Sequence, residues 1–204
     1  MFREDSDEVL MLRFRDGDVE AYRTLVMRYR HSLMSFAYRF VGDTHVAEDV
    51  FQDAFLRIAR DASRYRPTAK FCTLLYTIAR NLCIDHLRKQ RYRKHLSLER
   101  NQGHDEEEAT LSDLLKSQDV GASREMFRKD LKKVLMKGIH SLPIEQREVF
   151  LLREYEGLRF REIAKITRTS VNTAKSRMRY ALAALRKFLR DEKITEEVLQ
   201  NEVY

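Results

Sequence analysis

The sequence predicts an all-α protein, two small helical domains joined by a flexible acidic linker, and three observations carry that expectation. Only 6 Gly and 2 Pro serve 204 residues, too few for the many turns of a β-rich fold. Apolar residues recur at three- and four-residue intervals nearly throughout, the spacing of one face of an α-helix. Between these periodic stretches, residues 94–123 turn polar, acidic and poor in aromatics, a composition that cannot bury itself. The expected organisation is a first domain over 1–93, the linker over 94–123, a second domain over 124–190 and an acidic tail over 191–204.

The elements follow in chain order. A first helix over about 18–41 sets Ala21, Leu25, Met27, Leu33, Phe36, Ala37 and Phe40 at helical intervals. Gly42-Asp43 breaks it, and Thr44 is placed to cap a second helix. That helix, Ala47–Arg60, has an apolar stripe of Ala47, Val50, Phe51, Ala54 and Ile58. Its other face carries Asp49, Gln52, Asp53, Arg60 and, among them, Leu56. A single apolar anchor ringed by charges has the form of a docking surface, although a lone exposed leucine is also ordinary. A third helix runs from about Phe71 to Arg93 after a loop containing Pro67. It is apolar on two sides, as a central helix must be: Phe71, Leu74, Leu75, Ile78 and Leu82 on one, Tyr76, Cys83 and Leu87 on another. Its remaining strip aligns Lys70, Thr77, Asn81 and Arg88, with Arg80 and Arg91 at the margin and Tyr65 and Arg66 in the preceding loop. Cations to track phosphates beside aromatic contacts suit a single nucleic-acid strand; the plainer reading is a solvent-facing stripe. Asp85 falls on the core side of the wheel, where a buried polar bond is expected.

Within the acidic segment a short helical turn is expected at Leu111–Leu115. Beyond it, Phe127, Leu131, Val134 and Leu135 restart the helical pattern, and Pro143 fits the first turn of a helix over 144–155. Gly157 separates that from a short helix over 160–166. A longer one spans Val171–Arg190, with Val171, Ala174, Met178, Leu182, Leu185 and Leu189 as its apolar stripe and Ser170 as its N-cap. Asn172, Thr173, Ser176 and Tyr180 point the other way, flanked by Arg177 and Arg179. The pair has the form of a helix-turn-helix, in which a braced second helix leaves its far face free for a DNA groove. Short hydrogen-bonding side chains beside arginines are what base reading with phosphate anchoring requires. An amphipathic hairpin with a basic outer face would share the pattern.

Charge narrows the function. The net +7 divides into +4 before residue 94, −4 over 94–123 and +7 after it. Over 159–190 there are 10 Lys and Arg against one acidic residue, a density that draws a polyanion. Cys72 and Cys83 on one helix would lie roughly 16 Å apart, too far for a disulfide. No apolar run reaches the ~18 residues of a membrane span, and the polar start MFREDSDE is not a signal peptide, so direct membrane insertion is not expected and a cytoplasmic location is. The six histidines are scattered, with no metalloprotease or paired-Cys spacing; His86 with Cys83 lacks further ligands. No catalytic residue, metal or cofactor is expected, and the chain is not expected to be an enzyme.

Two stretches resemble a known family. Leu142-Pro143, Arg147-Glu148-Val149-Phe150-Leu151-Leu152, Tyr155-Glu156-Gly157, Glu162-Ile163-Ala164 and Thr173-Ala174-Lys175-Ser176-Arg177 resemble the fourth conserved region of sigma factors. Phe71, Leu75-Tyr76-Thr77-Ile78-Ala79-Arg80-Asn81, Ile84-Asp85 and Leu87-Arg88 resemble the second. The two-domain layout implies the extracytoplasmic-function (group IV) branch of the sigma-70 family. Departures are visible: Thr167-Arg168-Thr169 replaces the usual Leu-Gly-Ile of the turn, Asn172 stands where Gly is common and Ala174 where Val is common. Leu74 takes the place of an expected tryptophan.

The resemblance implies a factor that binds core RNA polymerase at the β′ clamp and β flap and directs it to promoter DNA, for a stress- or signal-responsive set of genes. It assigns core docking to Glu48, Asp49, Gln52, Asp53 and Leu56. It assigns the minus-ten element to Tyr65, Arg66, Lys70, Thr77, Arg80, Asn81 and Arg88. The minus-thirty-five element falls to Arg168, Ser170, Asn172, Thr173, Lys175, Ser176, Arg177, Arg179 and Tyr180. Many relatives are held inactive by an anti-sigma factor, so one is implied as a further partner. For the linker, Glu106, Glu107 and Glu108 either mimic nucleic acid in a polymerase channel, as the resemblance suggests, or keep the strand soluble. The rival reading is a stand-alone helix-turn-helix regulator, which leaves the docking face and the Lys70–Arg88 strip without purpose; stable binding to core polymerase separates the two.

Overall fold

The computed structural model describes residues 5–98, 122–192 and 194. These form eight α-helices and no strand among the described residues: α1 (Asp7–Arg15), α2 (Val19–Val41), α3 (Thr44–Arg60), α4 (Phe71–Leu98), α5 (Ala122–Ser141), α6 (Ile144–Glu154), α7 (Phe160–Thr167) and α8 (Val171–Asp191), with a 3-10 turn at Ala62–Arg64. The ends of α4 and α5 reach into the stretch expected as linker. The turn expected at 111–115 and the three consecutive glutamates lie outside the described residues.

The breaks are set by short polar side chains. Ser6, Asp18, Asp43 and Ser170 each accept a hydrogen bond from a first-turn N–H of the helix that follows, satisfying donors the helix itself leaves open. Asp43 takes the role expected of Thr44, which becomes the first residue of α3. Helix α1 was not evident from the sequence pattern. It buries Leu10 and Met11 and extends Glu8 to accept the Phe71 N–H at 2.8 Å, capping α4 from 63 residues away.

Around α4 pack Leu25, Leu33, Phe36 and Phe40 of α2 and Ala47, Val50, Ala54, Phe55 and Ile58 of α3, all buried. Phe36 meets Tyr76 edge-on with ring centroids 5.3 Å apart, and Tyr29 packs against Phe71 at 5.6 Å. Three expectations fail here for identifiable reasons. Met27 is exposed, because two residues of helix turn it about 200° from Leu25. Leu74 lies at the rim of a cleft formed by the preceding loop instead of in the core. Asp85 is exposed with Arg88 at 4.0 Å as its ion-pair partner, since the buried positions of α4 end at Ile84 among the described side chains.

The C-terminal helices bury Ile139, Leu142, Val149, Leu151, Leu152, Ile163, Ile166, Ala174, Met178, Ala181 and Leu185. Gly138 lets α5 approach α8 closely: a Cβ there would meet the Phe188 ring at 2.9 Å. In the turn between α7 and α8, Arg168 adopts the left-handed conformation (φ 53°) where the family pattern has glycine. Buried Thr167 donates its hydroxyl to the Ile163 carbonyl, replacing apolar contact with a local hydrogen bond.

The two sets of helices share one continuous core, with α4 on α7 and α2 on α5 and α6. The last-turn carbonyls of α2 are satisfied from the other set. His140 Nε2 donates to the Arg39 carbonyl at 3.1 Å, and the Arg147 guanidinium donates to the Phe40 carbonyl at 2.7 Å. Gly42, left-handed at φ 87°, is required twice over, since a Cβ there would also meet the His140 ring at 2.8 Å.

Candidate nucleic-acid and polymerase interface

Three surfaces carry the candidate residues. On α3, the alternation that buries Ala47, Val50, Ala54 and Ile58 turns Glu48, Asp49, Gln52, Asp53 and Leu56 to solvent together. Leu56 is 64% exposed, whereas the other apolar residues of this helix are buried or half-buried.

The second surface is a cleft of about 380 Å³ between the 61–70 loop and α4, lined among others by Arg57, Tyr65, Arg66, Lys70, Leu74 and Thr77. Tyr65 is only 8% exposed, and its buried hydroxyl has no hydrogen-bond partner among the described residues. Burial, then the nearby charges of Glu8 and Asp7, push its phenol up from the ordinary value, so it stays a neutral donor. Arg66 and Arg88 are exposed, while Asn81 and Thr77 are half-buried, the latter returning its hydroxyl to the Thr73 carbonyl at 2.6 Å.

Two members of this strip are engaged across the helix boundary. Lys70 Nζ lies 2.7 Å from Glu162 of α7, a pairing that raises the lysine. Partial burial pushes the Glu162 carboxyl up, but Lys70 and the Arg159 N–H together outweigh it and hold it below its ordinary value. Arg80 Nε bonds Glu148 of α6 at 2.7 Å and also reaches Asn81 at 3.1 Å. Glu148 is fully buried, and desolvation raises it despite Arg80 and Arg177.

The third surface is the start of α8. Asn172, Thr173, Lys175, Arg179 and Tyr180 are exposed there, with Arg168 and Ser170 at its entrance. Ser170 serves as the N-cap, accepting from the Thr173 N–H at 3.0 Å. Arg179 lies over the Tyr180 ring at 5.3 Å. Ser176 is half-buried. Arg177 departs from the expected outward fan: its Nη1 reaches Glu148 at 3.3 Å, so one carboxylate holds an arginine of each proposed DNA surface.

Reading the sequence missed the carboxylates that receive these cations. Glu148, Glu156 and Glu162, and the group of Arg39, His140 and Arg147 at the end of α2, were not singled out as functional. One signal was available: Glu148 shares the helical face of Leu152, four residues on, so an acidic side chain stands at a core position.

Comparison with known families matches residues 25–93 to sigma-70 region 2 and residues 132–185 to sigma-70 region 4. The chain is 31% identical over 191 residues to the RNA polymerase sigma-H factor of Pseudomonas aeruginosa, covering 93% of this chain and 96% of that one. It is 32% identical over 192 residues to the ECF RNA polymerase sigma-E factor of Escherichia coli K12, covering 91% and 95%. The chain belongs to the extracytoplasmic-function sigma factors. As a sigma factor it binds core RNA polymerase and directs promoter recognition and transcription initiation, within a family of non-enzymatic regulators. The match of both regions in order sets aside the stand-alone regulator. The fold is shared with the sigma factor RpoE of Bartonella quintana, solved with the anti-sigma factor NepR, at a TM-score of 0.66 and 21% identity, over 83% of this chain and 96% of that one. Among the described residues no helix of the sigma factor is long and apolar enough to cross a membrane.

Proposed function

We propose that this sigma factor divides its work among the three surfaces. The α3 face docks on the clamp of the polymerase β′ subunit, with Leu56 as anchor and Glu48, Asp49, Gln52 and Asp53 setting orientation. The cleft holds an unstacked base of the minus-ten element against the side chains of Tyr65, Leu74 and Thr77. Lys70, Arg66, Arg80 and Arg88 track the strand's phosphates, with Thr77 and Asn81 between them. The start of α8 enters the major groove of the minus-thirty-five element, reading bases with Asn172, Thr173 and Ser176. Arg168, Ser170, Lys175, Arg177, Arg179 and Tyr180 hold the backbone. The C-terminal helices meet the β flap. The protein works in the cytoplasm, performs no chemistry of its own and is restrained by an anti-sigma factor, as relatives solved with such partners suggest.

The observation that carries the docking assignment is the exposure of Leu56 on an otherwise charged and polar face. Leu56→Lys is expected to abolish co-purification with core polymerase while leaving helical content and cooperative melting unchanged. A mutant that loses cooperative melting places Leu56 in the core instead, and the assignment fails.

A further inference from the structure

The first turn of α4 is capped differently from those of the helices before it. Ser6, Asp18 and Asp43 stand immediately before α1, α2 and α3, and each accepts a first-turn N–H. The same place before α4 holds Lys70, whose carbonyl accepts the Thr73 N–H at 3.0 Å but whose side chain has no acceptor to offer. Its charge also stands at the positive end of the helix dipole, where a cation is unfavourable. Both deficits are met from α1. Glu8, half-buried, accepts the Phe71 N–H at 2.8 Å and brings a negative charge to that end of α4. Its neighbour Asp7 accepts from Arg28 and from the Tyr29 hydroxyl, so two carboxylates of one turn tie α1 to α4 and to α2. The junction held by Glu8 is the seam of the cleft. The loop with Tyr65 and Arg66 forms one side, Thr73, Leu74 and Thr77 of α4 form the other, and Lys70 lies between them.

We infer that Glu8 is a positioning residue for strand capture: it acts through the Phe71 N–H to hold Lys70 and the loop at the spacing that receives a minus-ten base. The inference rests on the reading of the cleft given above. A short polar residue at position 70 would cap α4 unaided, but it would remove a cation from beside the strand's phosphates. Supplying the acceptor from α1 leaves position 70 to a lysine. Without Glu8 the first turn of α4 frays, and Lys70 moves with it. The loop's own bonds do not compensate. The Tyr65 N–H reaches the Ala62 carbonyl at 2.9 Å and the Thr68 N–H reaches the Arg66 carbonyl at 2.8 Å, so both are local and neither spans the cleft. The exposed face of α3 and the start of α8 lie on other helices, so core docking and minus-thirty-five binding are independent of Glu8.

The test uses the holoenzyme and a labelled single-stranded oligonucleotide carrying the minus-ten sequence of a promoter it transcribes, well below the melting temperature of every variant. Glu8→Ala is expected to weaken that binding about fivefold, within the range by which a lost helix cap shifts a local equilibrium. Glu8→Gln, which keeps an acceptor oxygen, is expected to retain most of the affinity. Affinities for core polymerase and for a minus-thirty-five duplex are expected to stay at the wild-type value in both. A merely structural cap would lower the melting temperature of Glu8→Ala and leave its oligonucleotide affinity unchanged. That result overturns the proposal, as do equal losses in the two variants. Should Glu8→Ala no longer melt cooperatively, Glu8→Asp, which draws the acceptor back by one methylene, is read in its place with the same outcomes. The cleft itself is tested by Arg66→Ala combined with Arg88→Ala. Wild-type affinity in that double variant shows that the strip does not hold the strand, and the positioning falls with it. Weakened binding there with none in Glu8→Ala leaves the strip standing and overturns the positioning alone.

Discussion

The carboxylate of Glu148 sits between Arg80 of α4, at 2.7 Å, and Arg177 of α8, at 3.3 Å. It is fully buried, so its charge is tolerable only because both guanidiniums are there. Glu148→Ala is expected to destabilise the folded chain by about 3 kcal/mol, the lower end for breaking a buried pair, because both arginines keep some access to water. Glu148→Gln, which keeps the acceptor, is expected to cost less. Urea denaturation of the two variants measures the difference.

Glu156 gives the packing of the two helix sets a pH dependence. Burial raises its carboxyl from the ordinary 4.5 to about 6, against the opposing effects of Tyr76 on α4 and Arg39 on α2. A group raised on closure binds its proton more tightly when closed. Its contribution to closure is therefore complete below about 4.5 and lost as pH rises through about 6. Glu148, also raised, acts in the same direction. Scattering at pH 5 is expected to show a more compact chain than at pH 7.5, and Glu156→Gln is expected to reduce that difference.

Arg168 occupies a left-handed conformation without being glycine, which costs roughly 1–2 kcal/mol. Arg168→Gly removes the strain but adds backbone freedom to the unfolded chain, worth roughly 0.5–1 kcal/mol. The variant is expected to be more stable by about 0.5 kcal/mol in thermal melts. If Arg168 also contacts promoter backbone, binding to minus-thirty-five duplex falls in the same protein.

On the recognition helix, Asn172→Ala is expected to change which bases are preferred, at about 1–3 kcal/mol for a good base contact. Arg179→Ala is expected to weaken binding to all sequences alike and to flatten the salt dependence. Equal losses on every promoter from both variants would refute this division of labour. Competition binding across a set of altered upstream elements at two salt concentrations distinguishes the outcomes.

The helical class, the breaks at Gly42 and Gly157 and the outward faces of α3 and α8 were legible because each depends on neighbours in sequence. Leu56 could be picked out because helical periodicity alone separates it from Ala54 and Ile58. The roles of Lys70, Arg80 and Arg177 were only half legible. Their charge and helical face are local properties, but the carboxylates they meet arrive from distant sequence positions, and no spacing rule announces a partner 68 residues away. Helix α1 escaped for a different reason. Its nine residues bury only Leu10 and Met11, too few apolar positions to set a period.

That short helix has a consequence for where the functional unit begins. The region 2 match starts at residue 25, ten residues past the end of α1. Yet Glu8 closes the first turn of α4, where the loop that walls the base-sized cleft comes to its end. Met11 forms part of that wall from behind. A fragment trimmed to the matched region would keep the side chains expected to touch the strand and lose the clasp that aims them. The smallest piece expected to hold the minus-ten strand is thus longer at its front than the family signature.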